Sequence, residues 1–181
     1  MPTPHERSSR ARERLEVAMT SVVIYASHFG NTRIVAEAIA SRLRNAGPVE
    51  LYAVDDAPAE LPEGTDLLVV GGPIEAFRMT PPLKEFLGTL SAVSVRGVAF
   101  ATFDTRVKPH WWLPGDVGGS IAKRLREMGG RMIGEPEKFI VEGSINAERG
   151  EHPHLVAGEL DHAARWADTL AQAVGPVATP A

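Results

Sequence analysis

The sequence predicts an α/β protein, a three-layer α/β/α sandwich around a five-stranded parallel sheet. Three observations predict it. Short apolar runs alternate with amphipathic helical repeats along the chain. The runs at Val22–Ala26, Leu67–Val70 and Val98–Phe103 are almost wholly apolar, as strands covered on both faces are. The first run passes through a small polar turn, Ser27 to Thr32, directly into a helical repeat, the strand–turn–helix order of a right-handed crossover.

Each element has its own signal. The first helix carries Ile34, Val35, Ala38, Ile39 and Leu43 at helical spacing and ends at Ala46-Gly47-Pro48. Val49 to Val54 follows, with Val49, Leu51 and Ala53 alternating against Glu50 and Tyr52, the pattern of a half-exposed edge strand. Asp55-Asp56 ends it in a solvated turn. Asp66 to Gly72 is the third strand, and it runs into the loop Gly71 to Met79. Thr80 caps the next helix, Pro81 takes its first position, and Leu83, Phe86, Leu87 and Leu90 form its stripe. The fourth strand, Val98 to Phe103, precedes a loop that starts at Asp104-Thr105-Arg106 and holds Trp111, Trp112, Gly115 and Asp116. A helix over Val117–Met128 is stopped by Gly129-Gly130. Met132-Ile133 and Phe139–Val141 form the last strand, interrupted at Glu135-Pro136. The final helix repeats Leu160, Ala163, Ala164, Ala167, Leu170, Ala171 and Val174.

The chain of 181 residues suits one domain with a sizeable core, and 44% hydrophobic residues is ordinary for a globular chain. It divides into a disordered extension over 1–18, a domain over 19–175 and a disordered tail over 176–181. The extension has no apolar stretch of a secretory signal, and no run is of membrane-spanning length, so a cytoplasmic protein is expected. A net charge of −4 argues against a nucleic-acid partner. Without any cysteine there are no disulfides, thiolate metal sites or thiol nucleophiles, and redox chemistry requires a bound cofactor.

The turn Ser27-His28-Phe29-Gly30-Asn31-Thr32 is an anion site by composition. The first N–H groups of a helix lack internal partners and the helix dipole favours negative charge there. The hydroxyls of Ser27 and Thr32 and the amide of Asn31 add donors, and Gly30 lets the backbone close in. Neither G-x-x-x-x-G-K-[ST] nor G-x-G-x-x-G is present, so a single phosphate monoester held by neutral donors fits better than a nucleotide polyphosphate.

This ordering resembles the flavodoxin family, whose phosphate loop reads [ST]-x-T-G-x-T and binds the phosphate of FMN. Ser27, Gly30, Asn31 and Thr32 match, and Phe29 stands where the family has a threonine. Gly71-Gly72-Pro73-Ile74 is similar to the family's Gly-Gly-Pro-Thr, with isoleucine for threonine. The stretches Phe103–Arg106 and Phe139–Gly143 look like one bacterial branch of flavodoxin-like proteins, whose activity does not come with the likeness. The resemblance implies the flavodoxin-like sheet order 2-1-3-4-5, with FMN at the carboxyl ends of the first, third and fourth strands.

The resemblance also implies the cofactor-binding residues: the phosphate turn with His28, then Pro73, Ile74 and Phe77 from the third-strand loop, and Arg106 and Trp112 from the fourth. Backbone N–H groups of Thr102, Phe103 and Asp104 are expected at the pyrimidine edge of the ring. Phe77 and Trp112, or Trp111, are the candidate stackers; the tryptophans can equally pack the loop onto the body. A cation at the ring favours its anionic reduced form, and Arg78, Arg106 and Lys108 lie on these loops, although Arg106 can instead pair with Asp104 or Asp116. His152, His154 and His162 have metal-ligating chemistry but sit in a polar loop and a helix start, so no metal and no catalytic residue are assigned. Three functions follow. One is an FMN-binding carrier between a partner such as a flavin reductase and an acceptor. Another is an FMN-dependent oxidoreductase acting with NAD(P)H on a quinone or on a protoporphyrinogen-type substrate. The third is a binding module of the same fold that has lost flavin. A monomer or dimer is expected.

Overall fold

In the computed structural model, which describes residues 18–75, 78–107, 115–143 and 151–175, strands and helices alternate as the sequence patterns require. The order is β1 (Ser21–Tyr25), α1 (Asn31–Leu43), β2 (Val49–Ala53), β3 (Leu67–Pro73), α2 (Pro81–Thr89), α3 (Ala92–Val95), β4 (Ala99–Val107), α4 (Val117–Glu127), β5 (Arg131–Met132), β6 (Glu137–Glu142), β7 (His154–Leu155) and α5 (Glu159–Val174). The sheet order is β2-β1-β3-β4-β6-β7, with β5 also on β4. All pairings but the last, β6 with β7, are parallel.

The parallel order expected from the sequence is therefore present, with three differences. The fifth strand is two segments, β5 and β6, which pair with β4 in succession and are separated by the expected break at Glu135-Pro136. A short antiparallel strand, β7, extends the far edge, so the sheet has seven strands rather than five. Its two residues are too few to show a period. The last difference concerns β4, which runs on through Asp104-Thr105-Arg106 to Val107, where the sequence predicts a loop. The cause is non-local: β6 pairs with this extension from Phe103↔Glu137 to Val107↔Val141.

Two cores cover the sheet. Side chains of alternate strand residues Val23, Val69, Ala101 and Phe103 pack with Val35 and Ile39 of α1 and Trp166 and Leu170 of α5. The others, Val22, Ile24, Leu68, Val70 and Phe100, pack with Phe86 of α2 and Ile121 and Leu125 of α4. This is the alternation of side chains that a strand imposes, read on both faces. Edge strand β2 is only half-buried, as its alternation required.

Gly71 and Gly72 serve this packing. A Cβ on Gly71 would lie 2.2 Å from the ring of Phe103, and one on Gly72 would lie 2.6 Å from Leu83 Cδ2. No helix among the described residues is long and apolar enough to cross a membrane.

Candidate functional site

The carboxyl ends of β1, β3 and β4 meet beside the start of α1, where the strand order reverses and ligands of open α/β sheets bind. Gly30 is the N-cap of α1 with φ +87°, the left-handed region that glycine enters without strain. A Cβ there would meet nothing within 4 Å, so the backbone conformation requires the glycine and crowding does not. Ser27 Oγ accepts the N–H of Arg33 at 3.3 Å, and the N–H of Ile34 returns to the Gly30 carbonyl at 3.0 Å. The N–H groups of Asn31 and Thr32 precede any internal acceptor. The first turn contains no acidic residue, and the N-cap supplies no side-chain hydrogen bond.

Two polar side chains of the turn, Thr32 and Asn31, reach toward the far side of the sheet. Thr32 Oγ1 and Thr105 Oγ1, both buried, lie 2.7 Å apart in one hydrogen bond. Asn31 Nδ2 donates to the Pro153 carbonyl at 2.7 Å. Phe29 is partly exposed, its ring between the imidazoles of His28 and His152, with centroids at 4.3 Å and 5.3 Å.

Two cavities open on this turn. One of about 380 Å³ is lined by His28, Phe29, Asn31 and Thr32 together with Pro73, Ile74 and Glu75 of the third-strand loop, Thr105 and Val107 of β4, Val141 and Pro153. The other, about 600 Å³, lies on the β2 side against Ser27, Arg33, Asp55, Thr80 and Pro81. His28 and Glu75 line both, with Nδ1 and Oε1 3.1 Å apart. Thr80 is the N-cap of α2 as expected, but its hydroxyl makes no capping bond.

The remaining β4 residues turn the other way. Because the extension is strand, Thr102, Asp104 and Arg106 share one face and Phe103, Thr105 and Val107 the other. Thr102 Oγ1 donates to the Gly118 carbonyl at 2.9 Å, and the Gly118 N–H donates to Asp104 at 3.1 Å, so both pin the start of α4. The Arg106 guanidinium donates to both carboxylate oxygens of Asp104, at 2.7 and 2.5 Å. Asp104 is fully buried and the Arg106 side chain is 14% exposed, so this ion pair is an internal one. Of the two roles the sequence left open for Arg106, the pairing with Asp104 is the observed one.

Phe103 is a core residue, edge-on to Phe139 and Trp166 with centroids at 5.7 and 6.1 Å. The backbone of Thr102 to Asp104, expected at a ring edge, lies in the sheet interior instead: all three pair with β3, and Phe103 and Asp104 also with β6. The structure thus places Phe29, Asn31, Thr32, Pro73 and Ile74 on the smaller cavity, Ser27 and Gly30 on the larger one and His28 on both, with Thr102, Phe103, Asp104 and Arg106 in the body beneath or behind them. Phe77, Lys108, Trp111 and Trp112 lie outside the described residues. Arg78 is exposed, and its backbone exchanges hydrogen bonds with that of Glu75.

Sequence reasoning missed Thr105, Val107 and Pro153. Alternation with buried Phe103 is the signal that would have put Thr105 and Val107 toward α1; Pro153 had none. The three histidines separate: His152 is on Phe29, His154 Nε2 is 3.5 Å from Glu142, and His162 lies between Glu159 and Glu137.

The donor set fits a phosphate monoester at α1. It combines helix N–H groups, the Ser27 hydroxyl and one further hydroxyl proton, since the Thr32–Thr105 pair uses only one of its two. The 380 Å³ cavity beside it falls within the roughly 300–1,000 Å³ of small-molecule sites.

This arrangement defines a class first: a doubly wound α/β protein with a glycine-capped helix start at its switch point. Residues 22–111 match the model of the flavodoxin domain, and the chain belongs to the flavodoxin-like family. A flavodoxin domain implies a flavin. Among solved structures, a flavodoxin from the domain Archaea is 23% identical, with 86% of this chain and 99% of that one covered and a TM-score of 0.70. Flavodoxin 1 of Bacillus cereus is 18% identical over 84% of this chain and 97% of its own, at a TM-score of 0.69. A WrbA-like flavodoxin of Agrobacterium tumefaciens is 19% identical, covering 86% and 97%, at 0.63. At these identities the likeness is one of fold. No curated protein matches the sequence significantly.

Proposed function

We propose that the chain binds FMN and acts as a redox carrier, passing electrons from a partner such as a flavin reductase to an acceptor. The observation that carries this reading is the start of α1, whose first turn contains no acidic residue and whose only side-chain acceptor among the described residues is the neutral Ser27 hydroxyl, beside a cavity of small-molecule size. The flavodoxin-like family membership supports it.

In this reading the N–H groups of Asn31 and Thr32 and the hydroxyls of Ser27 and Thr32 hold the phosphate. Pro73, Ile74, Thr105 and Val107 face the rest of the ligand and exclude water from it, with Phe77 and Trp112 as the proposed stackers. FMN supplies the one- and two-electron chemistry, since the chain has no cysteine to do so. Arg106 gives the oxidoreductase no support: its guanidinium is neutralised by Asp104 on the face of β4 turned away from the site. A cytoplasmic location and a monomeric or dimeric state belong to the same proposal.

The test is reconstitution. Purified protein mixed with FMN and desalted should retain flavin absorbance in the blue and near-ultraviolet. A protein that stays colourless overturns the reading in favour of a binding module without flavin. Rapid NAD(P)H-dependent reduction of a quinone by the reconstituted protein would select the oxidoreductase instead.

A further inference from the structure

Phe29 removes a hydroxyl donor from the turn, and its ring does something a threonine cannot. It holds the imidazole of His152 in a stack, with centroids 5.3 Å apart and planes 23° from parallel. His152 arrives there on a strap fastened at several points. Asn31 Nδ2 donates to the Pro153 carbonyl at 2.7 Å, His154 and Leu155 pair with Glu142 and Val141, and the Val156 N–H donates to the Ile140 carbonyl at 3.0 Å.

The charges around it are already arranged. His28 faces Glu75 at 3.1 Å, His154 faces Glu142 at 3.5 Å, and Arg33 pairs with Glu37 at 3.4 Å. Glu151 precedes His152 in the chain. Among the described residues no carboxylate pairs with His152 itself, although His28 and His154 each have one and His162 has two. An imidazole near a helix start, with no paired carboxylate among the described residues, is placed to meet a negative ligand.

We propose that His152, held against the α1 turn by Phe29, is a phosphate-recognition residue of this site, supplying a cationic contact in place of the hydroxyl that Phe29 displaces. The proposal rests on the FMN reading and narrows it. The ligand must carry a phosphate, and its affinity must follow the protonation of this histidine. Only the protonated imidazole attracts the phosphate, so phosphate binding strengthens as pH falls and weakens as it rises.

The experiment compares FMN with riboflavin, which lacks the phosphate, by quenching of flavin fluorescence in the full chain at about pH 6.5 and about pH 8. The wild type should bind FMN several-fold more tightly at the lower pH, with riboflavin unchanged. His152→Gln, at an exposed position that leaves the fold intact by circular dichroism, should weaken FMN about five- to tenfold at the lower pH, leave riboflavin alone and flatten the pH dependence. Phe29→Leu, which removes the platform, should do the same to a smaller degree.

The proposal is overturned if His152→Gln leaves both the FMN-to-riboflavin ratio and its pH dependence at wild-type values while FMN still binds. If neither flavin binds the wild type, the FMN reading fails as well, so the two failures are distinguishable.

Discussion

Helices α1 and α4 begin at the same end of the sheet, beside the same strand, and their first turns are treated in opposite ways. The start of α4 is filled from within. Asp116 accepts the N–H of Gly119 at 2.8 Å, and Asp104 accepts that of Gly118 at 3.1 Å while paired with Arg106. The start of α1 has no acidic residue in its first turn, and its one side-chain acceptor among the described residues is the neutral Ser27 hydroxyl, at 3.3 Å from the Arg33 N–H. Its contact with β4 is between two neutral hydroxyls, Thr32 and Thr105. A helix start attracts negative charge, so a protein that supplies its own carboxylates closes that site to others. One strand makes both arrangements because successive residues face opposite sides: Asp104 toward α4, Thr105 toward α1. The difference leaves α1 open to an external anion and makes the start of α4 part of the scaffold.

The largest effect is expected where the scaffold holds charge. Asp104→Ala leaves a mostly buried guanidinium without a counter-charge and Gly118 N–H without an acceptor. Urea denaturation should show a loss of about 3–5 kcal/mol. Adding Arg106→Leu should recover part of it. Under conditions where the variant is folded, flavin affinity should be little changed. Unaltered stability with lost flavin binding would break the comparison, because Asp104 would then serve the ligand.

A smaller effect is expected at the open turn. Ser27→Ala removes the acceptor of the Arg33 N–H and one donor to the phosphate. FMN should bind about five- to tenfold more weakly, equivalent to about 1–1.4 kcal/mol, with riboflavin unaffected. Stability should fall by about 1 kcal/mol or less. Equal losses for FMN and riboflavin would move the phosphate away from this turn.

The smallest effect belongs to neither helix start and calibrates both. Arg42 Nε and Nη2 donate to Asp168 at 2.6 and 2.8 Å, joining α1 to α5 on the surface. The hydrogen bond from Arg42, with its charge, holds the Asp168 carboxyl below its ordinary value. A lowered carboxylate value in the folded state stabilises above the unfolded value, and the contribution disappears as pH falls through the folded one. Asp168→Asn should therefore lower the melting temperature slightly at neutral pH and not at all in strong acid. High salt should shrink the difference. A difference that persists in acid would point to packing rather than charge.

Much of the site was legible because strand, turn and helix are contiguous there. Val22 to Leu43 contains a buried strand, the left-handed Gly30 and a helix in one stretch, and local rules suffice for that. Gly71-Gly72-Pro73 was legible as the end of a strand, but the reason for its glycines is Phe103 and Leu83, which come from elsewhere in the chain. The reading went astray at Asp104 to Arg106, where polar residues after an apolar run look like a loop. They are strand because β6, more than thirty residues later, continues the pairing, which turns Arg106 toward Asp104 rather than the ligand site.

The sequence by itself determined the layers, the parallel order and the strand–turn–helix unit around Ser27 to Thr32, since each follows from hydrophobic period and from the chemistry of neighbouring residues. Tertiary structure decided which side chains reach that turn. Thr105 against Thr32, His152 on Phe29 and the Pro153 carbonyl at Asn31 are contacts across 73, 123 and 122 positions of sequence. Short-range periodicity carries no information about such pairs; only the register of the strands and the closing of the sheet edge by β7 bring them together.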